Sequence, residues 1–145
     1  MSTREPRILV VEDDRNDALL LERAFRKAGL PALDRVLRDG QEAIAYFEGL
    51  GVYADRNAYP LPTYMLLDLK VPKVSGLELL AWIRERAEHR HLRVVILSSS
   101  GEPTDRARAR ELGVDAYFVK PTRSADLLGV VREIARTWGL PEAGA

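Results

Sequence analysis

Five short apolar runs alternate with longer amphipathic stretches along the chain. The runs are predicted to be β-strands at 7–11, 33–37, 63–67, 93–98 and 115–119. The stretches that follow them repeat apolar residues every three to four positions and predict helices at 18–28, 41–48, 77–83, 103–112 and 124–138. Strands that are apolar without alternation indicate burial on both faces. Right-handed crossovers then give an α/β fold, an open doubly wound sheet of five parallel strands with helices on both sides.

Local residues mark the ends of these helices. Asp14 or Asn16 is predicted to cap the first helix, which Gly29 ends. Ser75 and Glu78 have the spacing of a capping box at the start of the third helix. The stretch 49–62 carries little periodicity and could contain a short helical turn. Structureless loops of this length are uncommon and usually functional or mobile.

Composition narrows the class of protein. The chain has 145 residues, no Cys and a formal net charge of zero. One domain over 1–145, with a core at about 7–138 and no output domain, is expected. A net charge of zero argues against a protein that binds nucleic acid or a membrane surface mainly through electrostatic attraction. No apolar run approaches a membrane span and the N-terminus lacks an apolar signal segment, so a cytoplasmic location is expected.

Charged residues directly follow three of the predicted strands. Glu12 and Asp13 come after the first strand, Asp68 after the third and Lys120 after the fifth. Because parallel strands end at one edge of the sheet, and ligands bind there near the reversal of strand order, these side chains are expected to meet. Carboxylates packed together repel one another and favour a cation, and the adjacent lysine favours an anion. The pattern predicts a site for a divalent metal and a phosphoryl group.

Four motifs resemble those of the receiver domains of two-component response regulators, in the same order and spacing. They are ILVVEDD at 8–14, LD at 67–68 with Pro72 and Gly76 downstream, LSS at 97–99 and YFVKP at 117–121. The resemblance extends from residue 8 to residue 138. It implies a flavodoxin-like receiver fold with strand order 2-1-3-4-5. Within the family, the long 49–62 segment is similar to single-domain regulators that partner phytochromes.

The resemblance assigns a role to each member of the charged cluster. It implies that Asp68 is the phosphoacceptor and that Lys120 holds the phosphoryl oxygens. Mg²⁺ is the implied cofactor, bound by Asp13, Asp68 and the backbone carbonyl of Lys70, with Glu12 acting through a metal-bound water. The protein would promote its own phosphorylation and dephosphorylation, and it is not predicted to be an enzyme.

The same resemblance implies a conformational switch. Ser98 takes the hydroxyl position that would bond a new phosphoryl oxygen, and Tyr117 takes the aromatic position that would rotate inward. Lys70 and Ser100 occupy the two positions that tune the phosphoryl lifetime. The peptide bond before Pro121 is expected to be cis.

Partners follow from the resemblance, and other functions remain as alternatives. The implied phosphodonor is a sensor histidine kinase, a bacteriophytochrome in the narrower resemblance. The face formed by helix 4, strand 5 and helix 5 is expected to contact a downstream protein, a histidine phosphotransfer domain or a second copy of the chain. Roles as a phosphorelay intermediate or a phosphate sink stay open. Lys70 argues against an aspartyl-nucleophile phosphohydrolase, which often has an acid there, and Glu12 and Asp13 argue against a flavodoxin-like cofactor binder, whose phosphate they would repel.

Other conspicuous side chains have ordinary structural explanations. His89 and His91 lie in a charged loop before strand 4, at the sheet edge opposite the cluster, and are expected to be solvated rather than metal ligands. Trp82 and Trp138 are expected to pack or to form an interface. The three arginines of helix 4 are expected to form a solvated face that could also pair across a dimer.

Overall fold

The computed structural model describes residues 7–141 of the chain. Within them, five strands alternate with five helices, as the apolar pattern predicts. The elements are β1 (Ile8–Val11), α1 (Arg15–Lys27), β2 (Arg35–Leu37), α2 (Gly40–Glu48), β3 (Tyr64–Leu67), α3 (Gly76–Arg84), β4 (Arg93–Ser98), α4 (Pro103–Glu111), β5 (Ala116–Val119) and α5 (Leu127–Trp138). Short 3₁₀ turns lie at Gly51–Ala54, Ala87–His89 and Ser124–Asp126.

All strand pairs are parallel, and the sheet order is β2-β1-β3-β4-β5. The predicted doubly wound receiver topology is therefore confirmed. Val11 at the end of β1 is level with Leu37 of β2 and Leu67 of β3. Residues that follow β1 and β3 consequently emerge side by side, next to the reversal of strand order.

The central strands are buried on both faces, which explains their unbroken apolar runs. Leu9 and Val11 face one core with α2 and α3, whereas Ile8 and Val10 face a second core with α1 and α5. The edge strands are less covered: every residue of β5 is at least partly exposed. The core thus forms two layers that hold the ends of β1, β3 and β4 in place.

Helix starts follow the predicted caps more closely than strand starts follow the predicted bounds. The Asp14 carboxylate accepts the Asp17 N–H at the start of α1, and the capping box of Ser75 and Glu78 is present. Four strands begin one or two residues later than predicted, because the apolar pattern does not mark where the backbone ladder starts. Ser124 opens a 3₁₀ turn, and the regular helix starts at Leu127.

The 49–62 segment is packed rather than loose. The Arg56 guanidinium donates to the carbonyls of Tyr46 and Phe47, both at 2.7 Å, and so satisfies the last turn of α2. The Tyr46 hydroxyl donates to the Pro60 carbonyl at 2.7 Å, and the rings of Tyr46 and Tyr59 meet edge to face. The segment contains the short helical turn that the sequence allowed, and its polar contacts tie it to α2.

One prediction about this part of the molecule is wrong. His89 is buried, with only 7% of its surface exposed, and its ring packs against Phe47 and Trp82 at centroid distances of 5.0 and 6.2 Å. The 3₁₀ turn at Ala87–His89 directs this side chain inward, whereas His91 stays exposed as expected. Between residues 7 and 141, no helix combines the length and the apolar character that crossing a membrane requires.

Candidate functional site

The backbone ladder continues one residue past β1 and β3 and thereby fixes two acids. The Glu12 N–H donates to the Leu37 carbonyl at 2.8 Å, and the Asp68 N–H donates to the Val11 carbonyl at 3.0 Å. Both acids are buried, each with 6% exposure. Their side chains therefore start from a rigid edge of the sheet rather than from a free loop.

Three carboxylates converge at this edge. Oxygens of Glu12, Asp13 and Asp68 all lie within 4.8 Å of one another, and Asp13 is the exposed member of the group. Carboxylates this close disfavour joint ionisation unless a cation is present. The set matches the oxygen ligands that hard divalent cations prefer. The residues present could hold a metal ion.

Lys120 supplies a positive charge to this group. Its Nζ donates to Glu12 Oε1 at 2.6 Å, to Asp68 Oδ2 at 2.8 Å and to Asp17 Oδ2 at 2.8 Å. Its backbone N–H donates to the Ser98 carbonyl at 2.8 Å, which anchors the end of β5 to the end of β4. Lys120 thus joins the predicted cluster, together with one acid that the motifs do not include.

Asp17 is that additional acid. It lies in the first turn of α1, four positions after Asp13, and helical spacing at this position points its side chain back toward the strand end. Periodicity and the cap at Asp14 could have placed it near the cluster, but its contact with Lys120 depends on where α1 lies against the sheet.

The peptide bond before Pro121 differs from the expectation. No peptide bond among residues 7–141 is cis, so Lys120–Pro121 is trans. A trans bond is the lower-energy form by about 0.5–1 kcal/mol for X–Pro sequences. With it, the Lys120 ammonium already reaches the acids on β1, β3 and α1.

The second oxygen of Asp68 is also occupied. Oδ1 accepts the Ser98 hydroxyl at 3.0 Å and the Lys70 N–H at 3.1 Å. Ser98 is fully buried, whereas the Lys70 side chain is exposed. Burial opposes ionisation of Asp68, but the hydrogen bonds from Lys120 and Lys70 outweigh it, and the pKa of Asp68 lies below its usual value.

The neighbouring groups respond differently to burial. Burial raises the pKa of Glu12 to about 7, and the hydrogen bonds from Lys120 and from the Asp14 N–H offset only part of that effect. Burial works against the charged form of Lys120, but its bonds to Asp17, Asp68 and Glu12 raise the pKa of Lys120 above its usual value. At neutral pH the site therefore keeps Asp68 and Lys120 charged, while Glu12 titrates.

A second group of contacts links the site to α4 and β5. The Ser100 hydroxyl donates to Asp105 Oδ2 at 2.5 Å, and the Tyr117 hydroxyl donates to the Ser100 carbonyl at 2.6 Å. The guanidinium of Arg106 lies 4.9 Å from the centre of the Tyr117 ring. The loop between β4 and α4 is consequently bonded on both sides, two residues after Ser98.

The start of α3 presses directly on the loop that carries Asp68. The Gly76 N–H donates to the Leu69 carbonyl at 3.0 Å, and a Cβ added to Gly76 would lie 2.5 Å from the Asp68 carbonyl oxygen. Only glycine fits such a close backbone approach. Gly76 therefore helps to set the position of the buried acid.

Comparison with known proteins agrees with this geometry. The family model described as the response regulator receiver domain matches residues 8–132. The probable methanogenesis regulatory protein FilR2 of Methanothrix harundinacea is 37% identical over 90% of this chain and 82% of its own length. The response regulator Rcp1 of Synechocystis is 33% identical over 90% of this chain and 87% of its own length.

Solved structures give the same relationship. The Mn²⁺-bound form of Rcp1 has a TM-score of 0.81 and 30% identity, covering 92% of this chain and 94% of the other. The phosphorylated cyanobacterial phytochrome response regulator RcpA has a TM-score of 0.85 and 32% identity, covering 96% of this chain and 100% of the other. Both the fold and the aligned length are shared.

Proposed function

Since the chain belongs to the response regulator receiver domain family, we propose that Asp68 is its phosphoacceptor. The observation that carries this proposal is the bonding of Asp68: a buried carboxylate with Lys120 on one oxygen and Ser98 and the Lys70 N–H on the other. These three donors keep the carboxylate ionised and fixed, which is what an oxygen nucleophile requires.

The transfer itself needs positioning and charge neutralisation more than proton chemistry. An oxygen of Asp68 attacks the phosphorus of a phosphohistidine, an O–P bond forms, and the N–P bond breaks with its electron pair passing to the imidazole. Lys120 is placed to neutralise a phosphoryl oxygen, since its ammonium lies 2.8 Å from Asp68 Oδ2. The same residues would favour loss of the group to water.

We assign Mg²⁺ as the cation for the three carboxylates. Asp13, Asp68 and the backbone carbonyl of Lys70 would bind it, with Glu12 acting through a bound water. Bound there, Mg²⁺ would neutralise the negative charge that develops on the transferring phosphoryl oxygens. The Mn²⁺-bound form of the relative Rcp1 supports a divalent metal in this family.

Ser98 and Tyr117 form the proposed switch. The Ser98 hydroxyl, now bonded to Asp68, would instead donate to a phosphoryl oxygen, a charge-assisted bond that contributes about 1.5–3 kcal/mol. Movement of the β4–α4 loop would then carry the Ser100 carbonyl, to which the Tyr117 hydroxyl is bonded. The bond that is lost, to the Asp68 carboxylate, is itself charge-assisted, so the bias is the difference between the two bonds, and about 1.4 kcal/mol of difference shifts a two-state equilibrium tenfold. Lys70 and Ser100 would tune the phosphoryl lifetime.

The proposed phosphodonor is a sensor histidine kinase of the phytochrome type. Its support is the similarity to RcpA, itself a cyanobacterial phytochrome response regulator. The face of α4, β5 and α5 is proposed as the output surface, for a downstream protein, a histidine phosphotransfer domain or a second copy. Its support is the exposed arginine side of α4 and the partly exposed strand β5.

Acetyl phosphate provides a direct test, because it donates a phosphoryl group without a kinase. With Mg²⁺, intact mass should show one added phosphoryl group on the wild type and none on Asp68→Asn. A variant of an exposed acid that lies away from the cluster, Asp55→Asn, should be modified like the wild type. An adduct that persists in Asp68→Asn would contradict the proposal, and rapid turnover of small phosphates would favour a phosphohydrolase.

A further inference from the structure

The Lys120 ammonium has no spare hydrogen-bond donor in this structure. An ammonium group carries three donors. All three are used, on Glu12, Asp17 and Asp68. The proposed function puts the phosphoryl group on Asp68 itself, so the Asp68 bond of Lys120 passes to that group when it forms. Glu12 and Asp17 are then the two acids that compete with the phosphoryl oxygens for the ammonium.

Glu12 and Asp17 are unequal in what they lose. The side chain of Glu12 is 7% exposed, so without the ammonium it would be left as a buried carboxylate that must take up a proton. The Asp17 side chain is 37% exposed. It loses less than Glu12 does, because water can reach its carboxylate and replace the ammonium.

Position separates Asp17 from the other two as well. Glu12 and Asp68 extend from strand ends that the sheet holds by backbone hydrogen bonds. Asp17 lies in the first turn of α1, on a side chain that can change rotamer without moving the sheet. The Asp17 bond is therefore the one most readily given up.

We propose that Asp17 is a positioning residue that holds the Lys120 ammonium in the unphosphorylated protein and competes with the phosphoryl group for it. The inference rests on the proposed function of Asp68 and Lys120. Asp17 itself does not touch the reacting atoms. When the Lys120 ammonium binds a phosphoryl oxygen, it gives up its hydrogen bond to Asp17. The phosphoryl-bound arrangement is therefore less favourable by the free energy of that charge-assisted hydrogen bond.

Beryllofluoride, an analogue of the phosphoryl group on an aspartate, gives the measurement. It is titrated into the full chain at saturating Mg²⁺, and backbone amide NMR signals report the bound fraction. An amide oxygen accepts a hydrogen bond with about half the strength of a carboxylate. Asp17→Asn should therefore lower the beryllofluoride concentration at the titration midpoint by roughly three- to tenfold. Asp17→Glu, which restores the carboxylate, should return it toward the wild-type value.

Glu22→Gln is the matched control for charge. Glu22 is an exposed acid on the same helix, and its removal changes the net charge equally. We expect its midpoint to stay within twofold of the wild type. Equal shifts in Glu22→Gln and Asp17→Asn would overturn the proposal in favour of a general charge effect. An unchanged or raised midpoint in Asp17→Asn would also overturn it.

The ammonium signal of Lys120 provides a second readout that does not depend on the analogue. In the metal-free protein, three carboxylate acceptors should slow its hydrogen exchange enough for the ¹⁵Nζ resonance to be seen. Asp17→Asn should weaken or shift that resonance, and Glu22→Gln should not. If the Lys120 ¹⁵Nζ resonance is the same in Asp17→Asn as in the wild type, the proposed role of Asp17 in holding the Lys120 ammonium is refuted. If the wild type fails to bind beryllofluoride at all, the proposed function fails instead, whatever the ammonium signal shows.

Discussion

Replacing Lys120 by methionine removes the ammonium while it keeps an unbranched apolar side chain of similar length. In the wild type the ammonium binds three carboxylates at 2.6–2.8 Å. Two of them, on Glu12 and Asp68, are almost completely buried. The substitution therefore leaves two buried acids without their ion partner and should destabilise the folded protein.

The size of the loss depends on pH. Breaking a buried ion pair by removing one partner costs about 3–5 kcal/mol. Protonation relieves an unpaired carboxylate, and burial already raises the pKa of Glu12 to about 7. In Lys120→Met the folded state would hold protons that the unfolded state releases, so its stability falls as pH rises above the unfolded carboxyl pKa. We expect the full loss of about 3–5 kcal/mol at pH 8, and roughly half of it or less at pH 5.5.

Urea unfolding in the presence of EDTA at the two pH values measures this loss. Lys73→Met is the control, since Lys73 pairs with Asp39 at 3.6 Å and its side chain is 63% exposed. The Asp39 side chain is 15% exposed but keeps its hydrogen bond from the Glu42 N–H, so removing this partly exposed pair should cost about 1 kcal/mol or less at either pH. If Lys120→Met loses no more free energy of unfolding than Lys73→Met, or loses the same amount at pH 5.5 and pH 8, the argument from buried charge is refuted.

Three further substitutions test other features of the structure. Gly76→Ala forces a Cβ to within 2.5 Å of the Asp68 carbonyl and should cost about 1–3 kcal/mol in urea unfolding, whereas Gly129→Ala, with open space around it inside α5, should gain about 0.5–1 kcal/mol. Ser98→Ala should still take up a phosphoryl group from acetyl phosphate, but amide NMR shifts in the β4–α4 loop should shrink; full wild-type shifts would contradict its switch role. Burial lowers the pKa of His89, so the wild type should lose stability relative to His89→Phe as pH falls below about 6.5, and urea unfolding of both proteins at two pH values measures that difference; a difference that stays constant with pH would contradict this expectation.

The apolar pattern predicts the scaffold well because one physical cause, burial on both faces, acts on every central strand. The same cause places Glu12, Asp13 and Asp68 at one edge, since parallel strands in register must end together. Local rules were also sufficient for the caps at Asp14 and Ser75, whose bonds span three residues. Sequence spacing alone fixes the caps, and the parallel register of β1 and β3 fixes the meeting of the acids.

Contacts between elements that are distant in sequence could not be predicted from periodicity or local spacing. Arg56 satisfies the end of α2 from ten residues away, and no local pattern marks it. His89 belongs to a charged stretch, yet a pocket between Phe47 and Trp82 buries it. Asp17 meets Lys120 across 103 positions, a contact set by how α1 packs against the sheet. Each depends on tertiary placement rather than on periodicity.

Two neighbouring buried acids of the site, Glu12 and Asp68, differ in the direction of their pKa shifts. Both Glu12 and Asp68 are buried beside Lys120, yet burial raises the pKa of Glu12 to about 7 whereas the pKa of Asp68 stays below its usual value. Besides Lys120, Glu12 receives only the Asp14 N–H and is raised further by the negative charge of Asp68, whereas Asp68 receives both the Ser98 hydroxyl and the Lys70 N–H. Environments that push two carboxyl pKa values apart assign them different roles. Asp68 is thereby kept ionised at neutral pH, as its proposed role as phosphoacceptor requires, while Glu12 can take up the proton that relieves the cluster.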